Sequence, residues 1–102
     1  MLPLVEQHLP DIVRLCKKHE VKRLDLFGSA ARGDFDPESS DVDFFVEFKS
    51  YDDPTIADHW FGLQEELAEL LERPVDLTSL RAAKNPYFLE VANRHRVVLF
   101  AA

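Results

Sequence analysis

The clearest pattern along the chain is an amphipathic helix in its second half. Apolar residues recur there every three or four positions, a spacing that places them on one helix face: Ile56, Trp60, Leu63, Leu67 and Leu70. Glutamates take the opposite side: Glu65, Glu66, Glu69 and Glu72. Asp52-Asp53-Pro54 is typical of a helix start, with an acidic cap and a proline in the first turn. The pattern predicts a helix that Pro74 stops.

The first twenty residues predict two shorter helical pieces. Apolar residues recur at helical spacing: Val5, Leu9, Ile12 and Cys16. Pro10 interrupts this run, and a proline belongs in a first helical turn rather than in an interior. We therefore predict a turn of helix near residues 3–8 and a second helix from about Pro10 to His19, with one kinked helix as the alternative.

Four short apolar or alternating runs predict strands. They are Arg23–Phe27, Val42–Phe48, Val75–Thr78 and Val97–Phe100. Residues 29–33 could begin a short helix, residues 33–40 are turn-rich, and Asn85-Pro86 is typical of the start of a helix that reaches about His95. Helices and strands alternate, so we predict an α/β or α+β fold with a small mixed sheet flanked by helices.

Length and composition restrict the class of protein. The chain has 102 residues, 46% of them apolar and 30% charged, which suits one globular domain spanning residues 1–102. No apolar run approaches ~18 residues and no basic leader is visible, so we expect no membrane span and a cytoplasmic location. Cys16 is the only cysteine, and its apolar neighbours predict a core residue in a reducing compartment.

The net charge is −7, from 19 acidic and 12 basic residues. Proteins that grip a nucleic-acid backbone usually carry a basic face. The acidic balance therefore argues against nucleic acid as the main partner and fits a basic partner protein better.

The first candidate for chemistry is Asp41-Val42-Asp43, at the start of the second predicted strand. Side chains alternate between the two faces of a strand, so Asp41 and Asp43 share one face while Phe44, Val46 and Phe48 point into a core. Two carboxylates this close repel one another unless a cation lies between them. Hard oxygen ligands suit Mg²⁺, although an isolated Asp-x-Asp is as often a solvated strand end.

Gly28-Ser29 is a candidate phosphate-binding turn between the first strand and a predicted helix. Glycine lets a phosphate approach the backbone closely, and a helix N-terminus offers free N–H groups to an anion. The alternative is an ordinary turn in which the serine caps the helix.

Asp76 is the candidate third carboxylate. It alternates with Val75 and Leu77, so it faces away from their apolar side. If the third strand lies beside the second, Asp76 joins Asp41 and Asp43 on one surface, where it could hold a metal or accept a proton. The alternative is a surface aspartate.

Together these segments resemble a known family. Phe27-Gly28-Ser29-Ala30-Ala31-Arg32-Gly33, followed by Ser40-Asp41-Val42-Asp43-Phe44, resembles the DNA polymerase β-like nucleotidyltransferase superfamily, and within it the minimal nucleotidyltransferase (MNT) antitoxins. Arg73–Leu77 and Asn85–Tyr87 agree with that pattern, and the resemblance covers nearly the whole chain. Eleven residues separate Ser29 from Asp41, one more than the resemblance implies, and the extra residue falls in the loop 34–40.

The resemblance implies an enzyme with defined site residues. Three residues would contact the triphosphate: Gly28, Ser29 and Arg32. Arg32 could equally be a surface residue. Two Mg²⁺ ions would be bound by carboxylates: Asp41, Asp43 and Asp76. Asp76 would also favour attack by the acceptor hydroxyl, and pyrophosphate would leave.

The resemblance also implies a partner. It suggests transfer of AMP from ATP to a tyrosine of a HEPN-domain toxin. We expect no extra domain of the kind with which larger relatives shape an acceptor site, so the acceptor would dock on an open face or a partner would complete the site. One alternative is a binding module that neutralises its partner by contact alone. Another is a small-molecule, antibiotic-type nucleotidyltransferase. A homo-oligomer or a hetero-oligomer is compatible with the sequence.

Overall fold

The computed structural model describes residues 3–28, 41–52, 54–79 and 96–102. Within these ranges the chain forms three helices and four strands. The helices are α1 (Pro3–Gln7), α2 (Leu9–Lys18) and α3 (Ile56–Leu71). The strands are β1 (Val21–Phe27), β2 (Val42–Phe48), β3 (Val75–Ser79) and β4 (Val97–Ala101).

The four strands form one sheet in the order β3-β2-β1-β4. Strand β1 lies between β2 and β4 and pairs with both in antiparallel orientation. Strands β2 and β3 are parallel, and α3 is part of the crossover between them. The sheet is therefore mixed and flanked by helices, which confirms the predicted fold class.

The hydrophobic core lies between the helices and one face of the sheet. Strand β2 contributes alternate residues that are almost fully buried: Val42, Phe44, Val46 and Phe48. The helices cover them with their own apolar side chains: Ile12, Leu15, Cys16, Leu63, Leu67 and Leu71. This burial supplies the main favourable free energy of folding, and it turns the intervening residues of β2, including Asp43, towards the opposite face.

The N-terminal helical pieces agree with the two-piece prediction. Helix α1 ends at Gln7, His8 forms a turn, and Pro10 lies in the first turn of α2. Cys16 is fully buried in α2, and this burial raises the pKa of its thiol to about 12. The thiol is therefore protonated at neutral pH. The complete burial confirms the prediction that Cys16 is a core residue.

Helix α3 confirms the strongest periodic pattern but corrects its predicted start. The residue preceding its first turn is Thr55, whose side chain makes no capping hydrogen bond. Asp52 instead belongs to a separate turn, in which its backbone N–H donates to Ser50 Oγ over 3.3 Å. The acidic cap predicted from Asp52-Asp53-Pro54 is thus wrong for Asp52, and Asp53 lies outside the described residues. At the other end, Glu72 takes a left-handed conformation (φ 53°) and the helix stops before Pro74, as expected.

The strands lie where they were predicted, but three of them extend one or two residues beyond the predicted bounds. Strand β1 starts at Val21 rather than Arg23, β3 ends at Ser79, and β4 ends at Ala101. Val21 is fully buried and Lys22 exposed, so the alternation already starts there. The helices predicted at residues 29–33 and from Asn85 to His95, and the loop at 33–40, lie outside the described residues. In the described part of the chain, no helix is long and apolar enough to cross a membrane.

Candidate active site

The pairing of three strands places the candidate residues side by side at one end of the sheet. Asp43 in β2 lies opposite Phe27, the last residue of β1, and is in register with Asp76 of the parallel strand β3. Gly28 follows Phe27 directly. The fold thus brings Gly28, Asp43 and Asp76 together, although they are distant along the chain.

Two hydrogen bonds hold this end of the sheet in place. The backbone N–H of Val42 donates to the carbonyl oxygen of Pro74 over 2.9 Å, which joins the start of β2 to the residue before β3. Gln64 Nε2 in α3 donates to the carbonyl oxygen of Val75 over 2.8 Å. Together these bonds anchor Val42, which follows Asp41, and Val75, which precedes Asp76, and so limit how far the two carboxylates can separate.

Asp41 lies one residue before β2 and is exposed, as is Asp76, while Asp43 is half-buried. Val42, which lies between Asp41 and Asp43, is fully buried in the core. Because side chains alternate along a strand, Asp41 and Asp43 point away from that core. All three carboxylates therefore lie at the same end of β2 and β3. Asp43 is the most enclosed of them.

Gly28 is the most constrained backbone position at the site. Its φ is +72°, a left-handed conformation that other residues rarely adopt. A Cβ built on Gly28 would lie 2.6 Å from Asp43 Oδ2, well inside contact distance. The absence of a side chain thus leaves bare backbone against the Asp43 carboxylate, which is where a phosphate bound beside that carboxylate would have to approach.

Replacement of Gly28 by alanine is expected to destabilise the chain by about 2 kcal/mol, because the new Cβ combines an unfavourable positive φ with a collision against Asp43. Thermal unfolding of the variant measures this loss. Glu72→Gly is the matched control, since Glu72 also has a positive φ and glycine there should raise stability slightly. An unchanged melting temperature for Gly28→Ala would contradict the proposed tightness of the turn.

The carboxylates offer the kind of ligand that Mg²⁺ prefers, hard anionic oxygens with open access. In the residues that the structure describes, no group of three or more His, Cys, Asp or Glu side chains is gathered as a metal site. Asp43 and Asp76 are strand neighbours, and Asp41 stands at the strand end beside them. Ser29 and Arg32, the other predicted phosphate contacts, lie outside the described residues.

A buried ionic network under the site was missed by the sequence reasoning. Asp25 in β1 is fully buried. Its Oδ1 accepts a hydrogen bond from Arg23 Nε over 3.0 Å, and its Oδ2 accepts one from Arg96 Nε. Arg23 and Asp25 are two residues apart and so share a strand face, which was a usable signal. Nothing in the local pattern indicates Arg96, which lies 71 positions away.

Two aromatic rings connect this ionic network with the candidate site. The Arg96 guanidinium lies 5.3 Å from the centre of the buried Phe45 ring. Phe45 in turn stacks on Phe27, with ring centres 4.1 Å apart and an interplanar angle of 19°. Phe27 precedes Gly28 and pairs with Asp43. A series of contacts therefore runs from Asp25 through Arg96 and Phe45 to Phe27, the residue before Gly28.

Comparison with known proteins identifies the family. Residues 12–99 match the family described as nucleotidyltransferase domain. The chain belongs to this family. A protein of Methanocaldococcus jannaschii named as a candidate protein adenylyltransferase is 40% identical over 84 residues, which is 78% of this chain and 82% of that protein.

Solved structures of nucleotidyltransferases share the fold. One described as a minimal nucleotidyltransferase has a TM-score of 0.72 and 29% identity, covering 91% of this chain and 90% of that one. A chain in a Shewanella oneidensis complex of a tri-AMPylated HEPN toxin with an MNT antitoxin matches with a TM-score of 0.65 and 21% identity. The match covers 95% of this chain and 72% of that one. The family match and the minimal nucleotidyltransferase structure confirm the family resemblance that the Gly-Ser and Asp-x-Asp segments indicated, and the Shewanella oneidensis complex shares the fold.

Proposed function

We propose that this nucleotidyltransferase transfers AMP from ATP to a tyrosine hydroxyl of a HEPN-domain toxin, and thereby acts as its antitoxin. The observation that carries the proposal is the close approach of Gly28 to Asp43, with Asp76 in register on the next strand. It combines an open backbone for phosphate with carboxylates for a cation, in a chain that belongs to the nucleotidyltransferase family.

The proposed reaction assigns a task to each site residue. Gly28 leaves room for the triphosphate, and Ser29 and Arg32 would add donors to it. The tyrosine oxygen attacks the α-phosphorus, a new oxygen–phosphorus bond forms, and the bond to the β-phosphate oxygen breaks, so that pyrophosphate leaves. Asp76, which is exposed, would accept the proton of the attacking hydroxyl.

The carboxylates would also hold the cofactor. Asp41, Asp43 and Asp76 would bind two Mg²⁺ ions, which neutralise phosphate charge when bound. We further propose that residues 1–102 act as a single catalytic domain in the cytoplasm.

Two relationships support the acceptor class. The Methanocaldococcus jannaschii relative is named for adenylyl transfer to protein. The Shewanella oneidensis structure pairs an AMPylated HEPN toxin with an MNT antitoxin of the same fold. The net charge of −7 also suits a basic protein partner better than a nucleic acid.

A contact-only antitoxin is the second candidate function. The observation in its favour is exposed apolar surface, since Phe61 in α3 is 64% exposed and Val98 in β4 is 51% exposed. A partner that covers such side chains would gain binding energy without any transfer reaction.

The deciding experiment mixes the purified chain with ATP, Mg²⁺ and a HEPN toxin and follows the intact mass of the toxin. We expect gains of one AMP unit that require Mg²⁺ and that peptide mass spectrometry places on a tyrosine. A toxin variant with that tyrosine replaced by phenylalanine should gain no mass there. Full neutralisation of the toxin without any mass gain would overturn the transferase proposal and favour the contact-only antitoxin.

A further inference from the structure

A polar cluster joins the C-terminal end of α2 to α3, outside the candidate active site. His19, the residue after α2, is only 6% exposed. Its Nδ1 lies 3.3 Å from the Nδ1 of His59 in α3, and its Nε2 lies 3.1 Å from Glu66 Oε1. The two imidazole rings meet edge-on, with centres 5.5 Å apart and an interplanar angle of 81°.

Glu66 determines which nitrogen of His19 carries the proton. Lys18 Nζ donates to Glu66 Oε1 over 2.8 Å. A carboxylate oxygen accepts hydrogen bonds, so His19 Nε2 bears the hydrogen in its contact with Glu66 Oε1. In the neutral ring, Nδ1 then presents a lone pair to His59. A histidine held by a carboxylate through its other nitrogen is the usual arrangement of a metal ligand.

The distance between the two Nδ1 atoms also fits a shared metal ion. They are 3.3 Å apart. If an ion lies about 2.05 Å from both nitrogens, the usual zinc–imidazole distance, the Nδ1–metal–Nδ1 angle is roughly 107°, which is close to tetrahedral. Directing both lone pairs at this ion brings the ring centres together by roughly 0.3 Å, a shift that side-chain rotation can supply.

The fold makes room for the His19 ring, and a cavity adjoins His59. A Cβ on Gly62 of α3 would lie 2.8 Å from His19 Cε1, so glycine leaves the space that the ring occupies. His59 also lines a cavity of about 200 Å³, large enough for water and a metal ion. Glu20 and Lys49 line the same cavity and form an ion pair at 3.8 Å.

We propose that His19 and His59 form a binding site for a borderline divalent metal ion such as Zn²⁺ or Ni²⁺, which links the end of α2 to α3. The two Nδ1 atoms are the protein ligands. In the part of the chain that the structure describes, no third His, Cys, Asp or Glu completes the group, so water takes the remaining positions. On binding, the proton shared between the Nδ1 atoms leaves that contact, and His59 carries its hydrogen on Nε2 instead.

This site differs in chemistry from the aspartates at the other end of the sheet. Imidazole nitrogens favour Zn²⁺, Ni²⁺ and Cu²⁺, whereas carboxylate oxygens and water suit Mg²⁺. The proposal is independent of AMP transfer and predicts a metal effect on stability that the nucleotide site does not need.

The test is thermal unfolding of the untagged chain with and without micromolar ZnCl₂. We expect the melting temperature to rise by roughly 5 °C once free Zn²⁺ is about ten times its dissociation constant. His59→Gln should remove this rise, since glutamine keeps a polar group at the position but no imidazole. His8→Gln is the matched control, because the His8 side chain makes no capping hydrogen bond, and it should respond as the original chain does.

Two further measurements keep the outcome decisive. The Asp41→Ala, Asp43→Ala double variant should keep the Zn²⁺ response, which separates the histidine site from the carboxylates. Long-range ¹H–¹⁵N spectra should show the Nδ1 signals of His19 and His59 shifting together with added Zn²⁺. An equal rise in His59→Gln, loss of the rise in the double variant, or unshifted Nδ1 signals would each overturn the proposal.

Discussion

Replacement of Asp43 by asparagine is expected to lower the rate of AMP transfer roughly 10³-fold, the equivalent of several kcal/mol of transition-state stabilisation. Asp43 is the central carboxylate of the site, in register with Asp76 on one side and with Phe27 on the other. Asparagine has nearly the same shape but no charge, so it should leave the strand pairing intact while removing the negative charge to which the proposal assigns cation binding. Intact-mass measurement of the toxin over time gives the rate.

A matched control lies on the same face of the same strand. Glu47 is four residues further along β2 and half-buried, but it pairs with Arg23 at the far end from the site. Glu47→Gln removes one charge, as Asp43→Asn does, and should change the transfer rate by no more than about twofold. If Asp43→Asn retained a rate within tenfold of the original chain while folding normally, Asp43 would not belong to the cation-binding set.

The largest loss of stability is expected from Asp25→Ala, at about 3 kcal/mol. Asp25 is fully buried and accepts hydrogen bonds from Arg23 and Arg96. Arg96 is only 15% exposed, so removing the carboxylate takes a buried ion-pair partner away from a mostly enclosed guanidinium. Arg23 is 39% exposed and regains water, which keeps the loss near the lower end of the range for buried ion pairs. Chemical denaturation measures the free energy of unfolding.

Asp11→Ala provides the comparison for an exposed ion pair. Asp11 Oδ1 lies 3.2 Å from Arg14 Nη2, with both side chains well exposed to solvent. Such pairs contribute about 0.5 kcal/mol or less, so this variant should be nearly as stable as the original chain. Equal losses in the two variants would mean that the Asp25 network contributes no more than a surface pair. We also expect Asp25→Ala to slow AMP transfer, because Arg96 would lose the hydrogen bond that places it over Phe45, whose ring stacks on Phe27 beside Gly28.

Much of the architecture follows from local patterns of residues. The three- and four-residue spacing of Trp60, Leu63 and Leu67 predicted α3, because one helix face must be apolar to pack on a core. Alternation predicted β2 correctly from Val42 to Phe48, with Asp43 turned away from the core. These predictions succeeded because periodicity is a property of neighbouring residues and needs no knowledge of strand order.

The start of α3 shows where local signals mislead. Aspartate followed by proline is a common helix start, yet Asp52 takes part in a turn with Ser50 and the helix starts four residues later, at Ile56. Several short polar residues in succession offer more than one place for a first turn. Which one is used depends on the packing of Ile56 and Trp60 against the core, which the polar segment itself does not encode.

The sequence indicated which residues form the candidate site, but only the fold brings those residues together. Gly-Ser, Asp-x-Asp and a later Asp were recognisable in the sequence because the segments and their order resemble a family to which the chain belongs, although the stretch between Ser29 and Asp41 is one residue longer. That Asp76 stands beside Asp43 depends on the parallel pairing of β2 with β3. That Gly28 closes against Asp43 depends on the antiparallel pairing of β1 with β2. The roles of Ser29, Arg32 and the three carboxylates stay predictions.

The amino-acid sequence therefore determined the helices, the strands and the acidic and glycine positions that carry chemistry, since each is encoded by residues a few places apart. Only the tertiary structure brought Asp25 together with Arg96, and His19 with His59 across 40 positions. Such pairs have no local signature. They form because the sheet and helices must bury complementary faces, and any polar group that this burial encloses must find its partner there.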